Sequence, residues 1–113
     1  MSSEDGLSIL RKMRDESSRI YVRFIEGDKD ERFLSVVREV TDESLILYKY
    51  EVGFFLLVLD RTEFQYSDPR EAEQAEKGKA AHLFDSCLEL SWPNGALCRL
   101  YVLRDDSEPA TGR

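Results

Sequence analysis

Along the first part of the chain, apolar residues switch from helical spacing to strict alternation. Leu7, Leu10 and Met13 recur about once per helical turn, and Ser2 offers a capping hydroxyl before them. This pattern predicts a short helix over residues 4–15. A helix of so few turns is only marginally stable alone. We therefore expect its apolar stripe to pack against the rest of the protein.

Five extended segments follow and predict five β-strands. In the first, Ile20, Val22 and Phe24 fall on one face, and the strand ends at a polar turn predicted over 27–31. Polar turns also separate the remaining segments, which cover 33–40, 45–50, 54–59 and 64–66. Closely spaced strands with short turns favour a meander that curls into a small barrel.

The fourth of these segments differs from the others because it is apolar at every position from Phe54 to Leu59. A strand with one solvent-exposed face alternates between apolar and polar residues. We therefore expect this strand to be covered on both faces, by its own domain or by a neighbouring subunit. The run is also far shorter than the roughly 20 residues of a membrane-spanning helix, so no membrane association is predicted.

A β-hairpin over residues 84–103 is predicted from the turn sequence Trp92-Pro93-Asn94-Gly95. In the register that this turn sets, Glu89 lies opposite Arg99 on one face. The residues of the other face are all apolar: Leu88, Leu90, Trp92, Ala96, Cys98, Leu100 and Val102. Whether the hairpin extends the barrel sheet or mediates assembly is left open by the sequence.

The chain is predicted to form one domain over residues 1–104, because 113 residues suit a single core. Asp68 and Pro69 begin a predicted surface helix over 68–79. The polar segment 105–113 is expected to be a flexible tail. The predicted fold class is therefore mainly β (α+β): an N-terminal helix, a five-stranded small barrel over 4–67, the surface helix and the C-terminal hairpin.

Charge and cysteine content narrow the function classes. The net charge of −7, with basic residues scattered among acidic ones, disfavours DNA, RNA and anionic membranes as partners. The 2 cysteines are too few for a disulfide-rich secreted domain, and the polar start at Met1 lacks a leader pattern. We therefore expect a cytoplasmic protein.

Residues that could support catalysis or bind a metal are few. His82 is the single histidine, and no partner is evident near it. Cys87 and Cys98 lack further soft ligands, and the predicted register directs their sulfurs to opposite faces. The acidic turn around Asp28 and Asp30 lacks the glycine and terminal glutamate of a calcium loop. We predict no catalytic residue, no metal and no cofactor, and therefore no enzyme.

Two stretches resemble the Sm-like (Lsm) small β-barrel family over about residues 4–67. Residues 22–27, VRFIEG, are similar to the family's first strand and its acidic-Gly turn, and residues 59–67, LDRTEFQYS, are similar to its last turn and strand. The resemblance implies an Sm-like or SH3-like barrel. It also implies ring assembly, in which the fourth strand of one subunit pairs with the fifth strand of the next.

Two departures from this family concern RNA binding, which the family achieves with an Asn-bearing loop before the third strand and an Arg-Gly pair before the fifth. Residues 41–44 contain no Asn, and Arg61 is followed by Thr62. RNA binding is therefore not implied here. Tyr48 and Tyr50 do alternate along one strand as base-stacking rings can, but no basic groove accompanies them.

The favoured hypothesis is a non-catalytic, homo-oligomeric assembly or protein-interaction module. Its predicted interface comprises Phe54, Phe55, Leu56, Leu57, Val58, Leu59, Phe64 and Tyr66. The alternative hypothesis is a divergent single-stranded RNA-binding Sm-like protein. Its predicted RNA contacts are Tyr48, Lys49, Tyr50 and Arg61.

Overall fold

The computed structural model describes residues 2–67 and 84–103. It begins with helix α1 (Ser3–Asp15), which confirms the predicted N-terminal helix. The Ser2 hydroxyl accepts a hydrogen bond from the backbone N–H of Asp5 at 3.1 Å and caps the first turn. The buried face of the helix presents Leu7, Leu10, Met13 and Gly6 to the sheet.

Seven antiparallel strands form one sheet, so the described part of the chain is mainly β with one helix. The strands are β1 (Ile20–Glu26), β2 (Lys29–Val40), β3 (Ser44–Lys49), β4 (Gly53–Val58), β5 (Glu63–Ser67), β6 (Phe84–Ser91) and β7 (Leu97–Leu103). Their order across the sheet is β4-β3-β2-β1-β7-β6-β5. Strands β4 and β5 are therefore its two edges.

The predicted five-stranded barrel with an added hairpin is wrong in its arrangement. The β6–β7 hairpin lies inside the sheet, where β7 pairs with β1 and β6 pairs with β5. The hairpin register agrees with the sequence prediction, because Glu89 pairs with Arg99 and Trp92 N donates to the carbonyl of Ala96 at 3.1 Å. In this position both backbone edges of the hairpin are hydrogen-bonded, and its apolar face joins the enclosed core.

Ring contacts across the sheet show that it curls around its core. Two strands separate β1 from β4, which would place them about 14 Å apart in a flat sheet. The rings of Phe24 on β1 and Phe55 on β4 nevertheless lie 5.3 Å apart, centroid to centroid. Helix α1 packs on β2 and β5 and covers the enclosed face, which we call the inner face.

The turn predicted over 27–31 is shorter, because β2 already begins at Lys29 and only Gly27 and Asp28 form the turn. Gly27 adopts a φ of 60°, which glycine tolerates without strain. The predicted helix over 68–79, His82 and the predicted tail over 105–113 lie outside the described residues.

Burial of β4 on both faces, expected from its sequence, is wrong within the chain. Leu57 and Leu59 are buried against the core, but Phe54, Leu56 and Val58 are 65%, 61% and 60% exposed. The reason is that β4 is an edge strand of a single curled sheet, and no described element lies over its outer face.

Candidate interaction surface

The backbone of β4 presents hydrogen-bonding groups that no described strand uses. Leu59 N donates to the carbonyl of Glu43 at 2.9 Å, which makes these two residues a hydrogen-bonded pair. Hydrogen-bonded and non-bonded pairs alternate along an antiparallel ladder, so Leu57 and Phe55 direct their N–H and C=O groups to β3. Phe54, Leu56 and Val58 therefore direct theirs away from β3, to the free edge.

One of these edge groups already has a partner. The indole Nε1 of Trp92, at the end of β6, donates to the carbonyl of Val58 at 2.8 Å. This bond agrees with the alternation argued above, because it requires the Val58 carbonyl to point away from β3. The remaining edge groups are those of Phe54 and Leu56 together with the N–H of Val58.

The side chains on the outer face of β3 and β4 form an apolar surface. Tyr48 lies 5.3 Å from Tyr50 and 5.8 Å from Phe54 between ring centroids. Register pairing places Ile46 beside Leu56 and Tyr48 beside Phe54. We call this surface the β4 patch, and its members are Ile46, Tyr48, Tyr50, Phe54, Leu56 and Val58. An exposed apolar patch of this kind is typical of an interaction site.

The β4 edge also lacks the features that normally protect an edge strand. From Gly53 to Val58 it contains no charged residue and no proline. The opposite edge is protected, since β5 exposes the polar side chains of Glu63 and Gln65. The two edges of the sheet thus differ in chemistry.

The predicted interface residues divide into exposed and buried groups. Phe54, Leu56, Val58 and Tyr66 are exposed, with Tyr66 lying on the distant edge strand β5. The other predicted interface residues belong to the chain's own core: Phe55, Leu57, Leu59 and Phe64. Their side chains are unavailable to a partner, because the alternation of β4 and β5 turns them towards the inner face.

The predicted RNA-contact residues are not brought together. Tyr48 and Tyr50 join the β4 patch, whereas Lys49 points to the other face of β3. There the Lys49 Nζ lies 3.0 Å from Glu31 Oε1 and 4.9 Å from the centroid of the Phe33 ring. Arg61 lies in the β4–β5 turn, where its φ is 60°.

Strands β1, β2, β6 and β7 carry charge pairs on their outer face, unlike β4. Arg23 binds both carboxylate oxygens of Asp30, at 3.2 and 3.0 Å, and Arg99 binds Glu89 at 3.1 Å. The hydrogen bond from Arg23 is the main reason why the pKa of Asp30 lies below its ordinary value. These arginines already have carboxylate partners.

The described residues offer little chemistry for catalysis. Within the ranges 2–67 and 84–103, no group of three or more His, Cys, Asp and Glu side chains could hold a metal ion. Cys87 and Cys98 are both buried, and burial raises the pKa of the Cys98 thiol far above its ordinary value. A thiol kept protonated in this way is unreactive.

Comparison with protein-family models, with curated proteins and with solved structures finds no match to this chain. In the described part of the chain, no helix has the length and apolar character needed to cross a membrane. The surface that sequence reasoning missed in part is the edge of β4, because the contact from Trp92 to Val58 depends on the curl of the sheet. Alternation along the third predicted strand does place Ile46 on one face with Tyr48 and Tyr50.

Proposed function

We propose that this protein is a non-catalytic, homo-oligomeric assembly module whose copies associate through the free edge of β4 and the β4 patch. One observation carries the proposal: Phe54, Leu56 and Val58 stand side by side on an unprotected edge strand, and each is at least 60% exposed. Exposure of these apolar side chains to water is unfavourable, and association with a complementary apolar surface removes them from water.

The size of the exposed surface supports a protein partner. Large apolar side chains exposed to this degree contribute on the order of 500 Å² per copy, or about 1,000 Å² for two copies. That is near the lower end of specific protein interfaces. It exceeds what a scatter of single exposed apolar residues produces on an ordinary surface.

The charge distribution is compatible with a second copy as the partner. Each chain has a net charge of −7, so two copies repel each other over most of their surfaces. The segment Gly53 to Val58 carries no charge, and it offers both apolar side chains and free backbone groups. It is therefore a surface where like-charged copies can meet without placing like charges in contact.

The Sm-like resemblance is part of the same proposal. A helix followed by the β1–β4 meander agrees with the order that the resemblance implies, and assembly through the fourth strand is what that family does. The RNA-binding alternative gains no support, since Lys49 is paired with Glu31 and lies on the face opposite Tyr48.

The test is the oligomeric state of the wild-type protein and of two matched edge variants. Leu56→Lys places a charge on the β4 edge, and Gln65→Lys places the same charge on the β5 edge. Both side chains are exposed, so circular dichroism should show an unchanged fold for each.

We expect light scattering to show association of the wild type and of Gln65→Lys at micromolar concentration, and a monomer for Leu56→Lys. A wild-type protein that is strictly monomeric at that concentration would overturn the proposal. So would association of Leu56→Lys equal to that of the wild type.

A further inference from the structure

We infer that β4 pairs with β4 of a second copy, antiparallel across a two-fold axis that passes beside Phe55. This inference rests on the proposed function and specifies the partner strand and its register. The N–H and C=O groups that are free at the edge of β4 determine this register.

Three two-fold registers would pair both Phe54 and Leu56 with edge-facing residues within the partner's segment 52–58. The axis can pass beside Phe54, Phe55 or Leu56, since each choice aligns residues that face the free edge. The contacts around β4 distinguish these three choices.

An axis at Leu56 would set Phe54 opposite the partner's Val58. The carbonyl of Val58 already accepts a hydrogen bond from Trp92 Nε1 at 2.8 Å, so this register loses a bond or displaces the indole. Trp92 thus limits pairing at the C-terminal end of β4.

An axis at Phe54 would set Leu56 opposite the partner's Val52. The N–H of Val52 already donates to the carbonyl of Lys49 at 3.0 Å in the β3–β4 turn. This turn limits pairing at the N-terminal end of β4 in the same way.

The axis at Phe55 sets Phe54 opposite the partner's Leu56 and Leu56 opposite the partner's Phe54. The groups of these two residues have no partner among the described strands, so about four backbone hydrogen bonds can form without breaking any bond of the monomer. On the outer face, Phe54 and Leu56 of each copy then stand beside each other as apolar cross-strand pairs.

The other edge of the sheet fits this strand less well. Pairing β4 with the partner's β5 would set Glu63 and Gln65 beside the apolar side chains of β4. It would also produce a head-to-tail chain or ring rather than a closed pair. Two copies of β4 match each other in both side chains and backbone groups.

Amide hydrogen exchange, measured at low and high protein concentration, tests the register. We expect the N–H groups of Phe54 and Leu56 to become protected only at the concentration where dimers form. The N–H groups of Phe55 and Leu57 bond to β3 and should be protected at both concentrations, which makes them internal controls.

A proline variant tests the role of the backbone separately from the side chain. Leu56→Pro removes an N–H that points away from β3, so the monomer should keep its fold, since edge strands tolerate proline in this orientation. We expect its dimer dissociation constant to rise about 100-fold or more. Leu56→Val keeps the N–H and an apolar side chain, and should dimerise like the wild type.

The outcomes separate this inference from the proposed function. A wild-type protein that stays monomeric refutes both. An oligomer in which the amides of Phe54 and Leu56 exchange freely, or which survives Leu56→Pro, refutes only the paired-edge geometry. Particles larger than a dimer that dissociate on Tyr66→Pro, which removes an N–H that points away from β6, would instead show pairing of β4 with β5. If Leu56→Pro does not fold, the exchange measurement on the wild type decides.

Discussion

The two edges of the sheet have similar lengths and opposite character. Strand β4 exposes Phe54, Leu56 and Val58 along an edge without charges, whereas β5 exposes Glu63 and Gln65. Both strands contribute buried residues to the same core, Leu57 from β4 and Phe64 from β5, and Tyr66 on β5 is partly exposed. The edges therefore differ mainly on the sides that the described part of the chain does not cover, where an apolar, uncharged edge strand is unprotected against pairing with another strand.

The outer face of the sheet shows the same contrast. At β1, β2, β6 and β7, arginine side chains pair with Asp30 and Glu89 and make that region compatible with water. At β3 and β4, the β4 patch has no charge pair of its own. Solvent exposure alone does not explain an apolar surface on one half of a face whose other half is charged.

The largest expected effect comes from comparing neighbouring residues of β4. Leu57 is 6% exposed and Leu56 is 61% exposed. Under dilute, monomeric conditions, Leu57→Ala should lower the free energy of unfolding by about 2–5 kcal/mol, because it leaves a cavity in the core. Leu56→Ala should change it by no more than about 0.5 kcal/mol. Urea denaturation measures both, and equal losses would contradict the exposed edge.

A second variant tests how the β5 edge is held. A Cβ atom at Gly6 would collide with the ring of Phe64 on β5. Gly6→Ala should therefore lower the free energy of unfolding by about 1–3 kcal/mol, despite the higher helix propensity of alanine. Ser8→Ala, at an exposed position of the same helix, is the control and should be neutral or slightly stabilising. A stabilising Gly6→Ala would show that β5 does not pack on α1 in this way.

The turn that joins the two edges offers a smaller effect. The Oγ1 atom of Thr62 is buried without a hydrogen-bond partner among the described residues. Thr62→Val keeps the shape of the side chain and removes the unsatisfied hydroxyl, so it should raise the free energy of unfolding by up to about 1 kcal/mol. Thermal or urea denaturation measures the change. A clear loss of stability would indicate that the hydroxyl has a partner.

The charged half of the outer face predicts a dependence on pH. The pKa of Asp30 is lowered in the folded protein by the hydrogen bond from Arg23, so the carboxylate contributes stability above its ordinary pKa of 3.8. This contribution is lost as the pH falls below that value. Asp30→Asn should be less stable than the wild type near neutral pH, and the difference should vanish in acid. A difference that persists unchanged at low pH would contradict the pairing.

Much of the local structure could be predicted because it depends on local spacing. Helical spacing predicted α1, apolar patterns bounded by polar turns predicted β1 to β5, and the turn at 92–95 predicted the pairing of Glu89 with Arg99. The placement of the hairpin could not be predicted, since an apolar face needs a cover but does not specify which strand supplies it. For the same reason, the continuous apolar run of β4 did not show whether its own domain or a neighbouring subunit covers the outer face of the strand.

The sequence by itself determined which residues form the helix and the strands, and which side chains share a face, because those properties follow from backbone periodicity over a few residues. Only the tertiary structure decided that β6 and β7 lie between β1 and β5, that β4 is an edge, and that Trp92 binds the carbonyl of Val58. These are contacts between residues far apart in the chain. They depend on how all the apolar faces are buried together, which local periodicity does not encode.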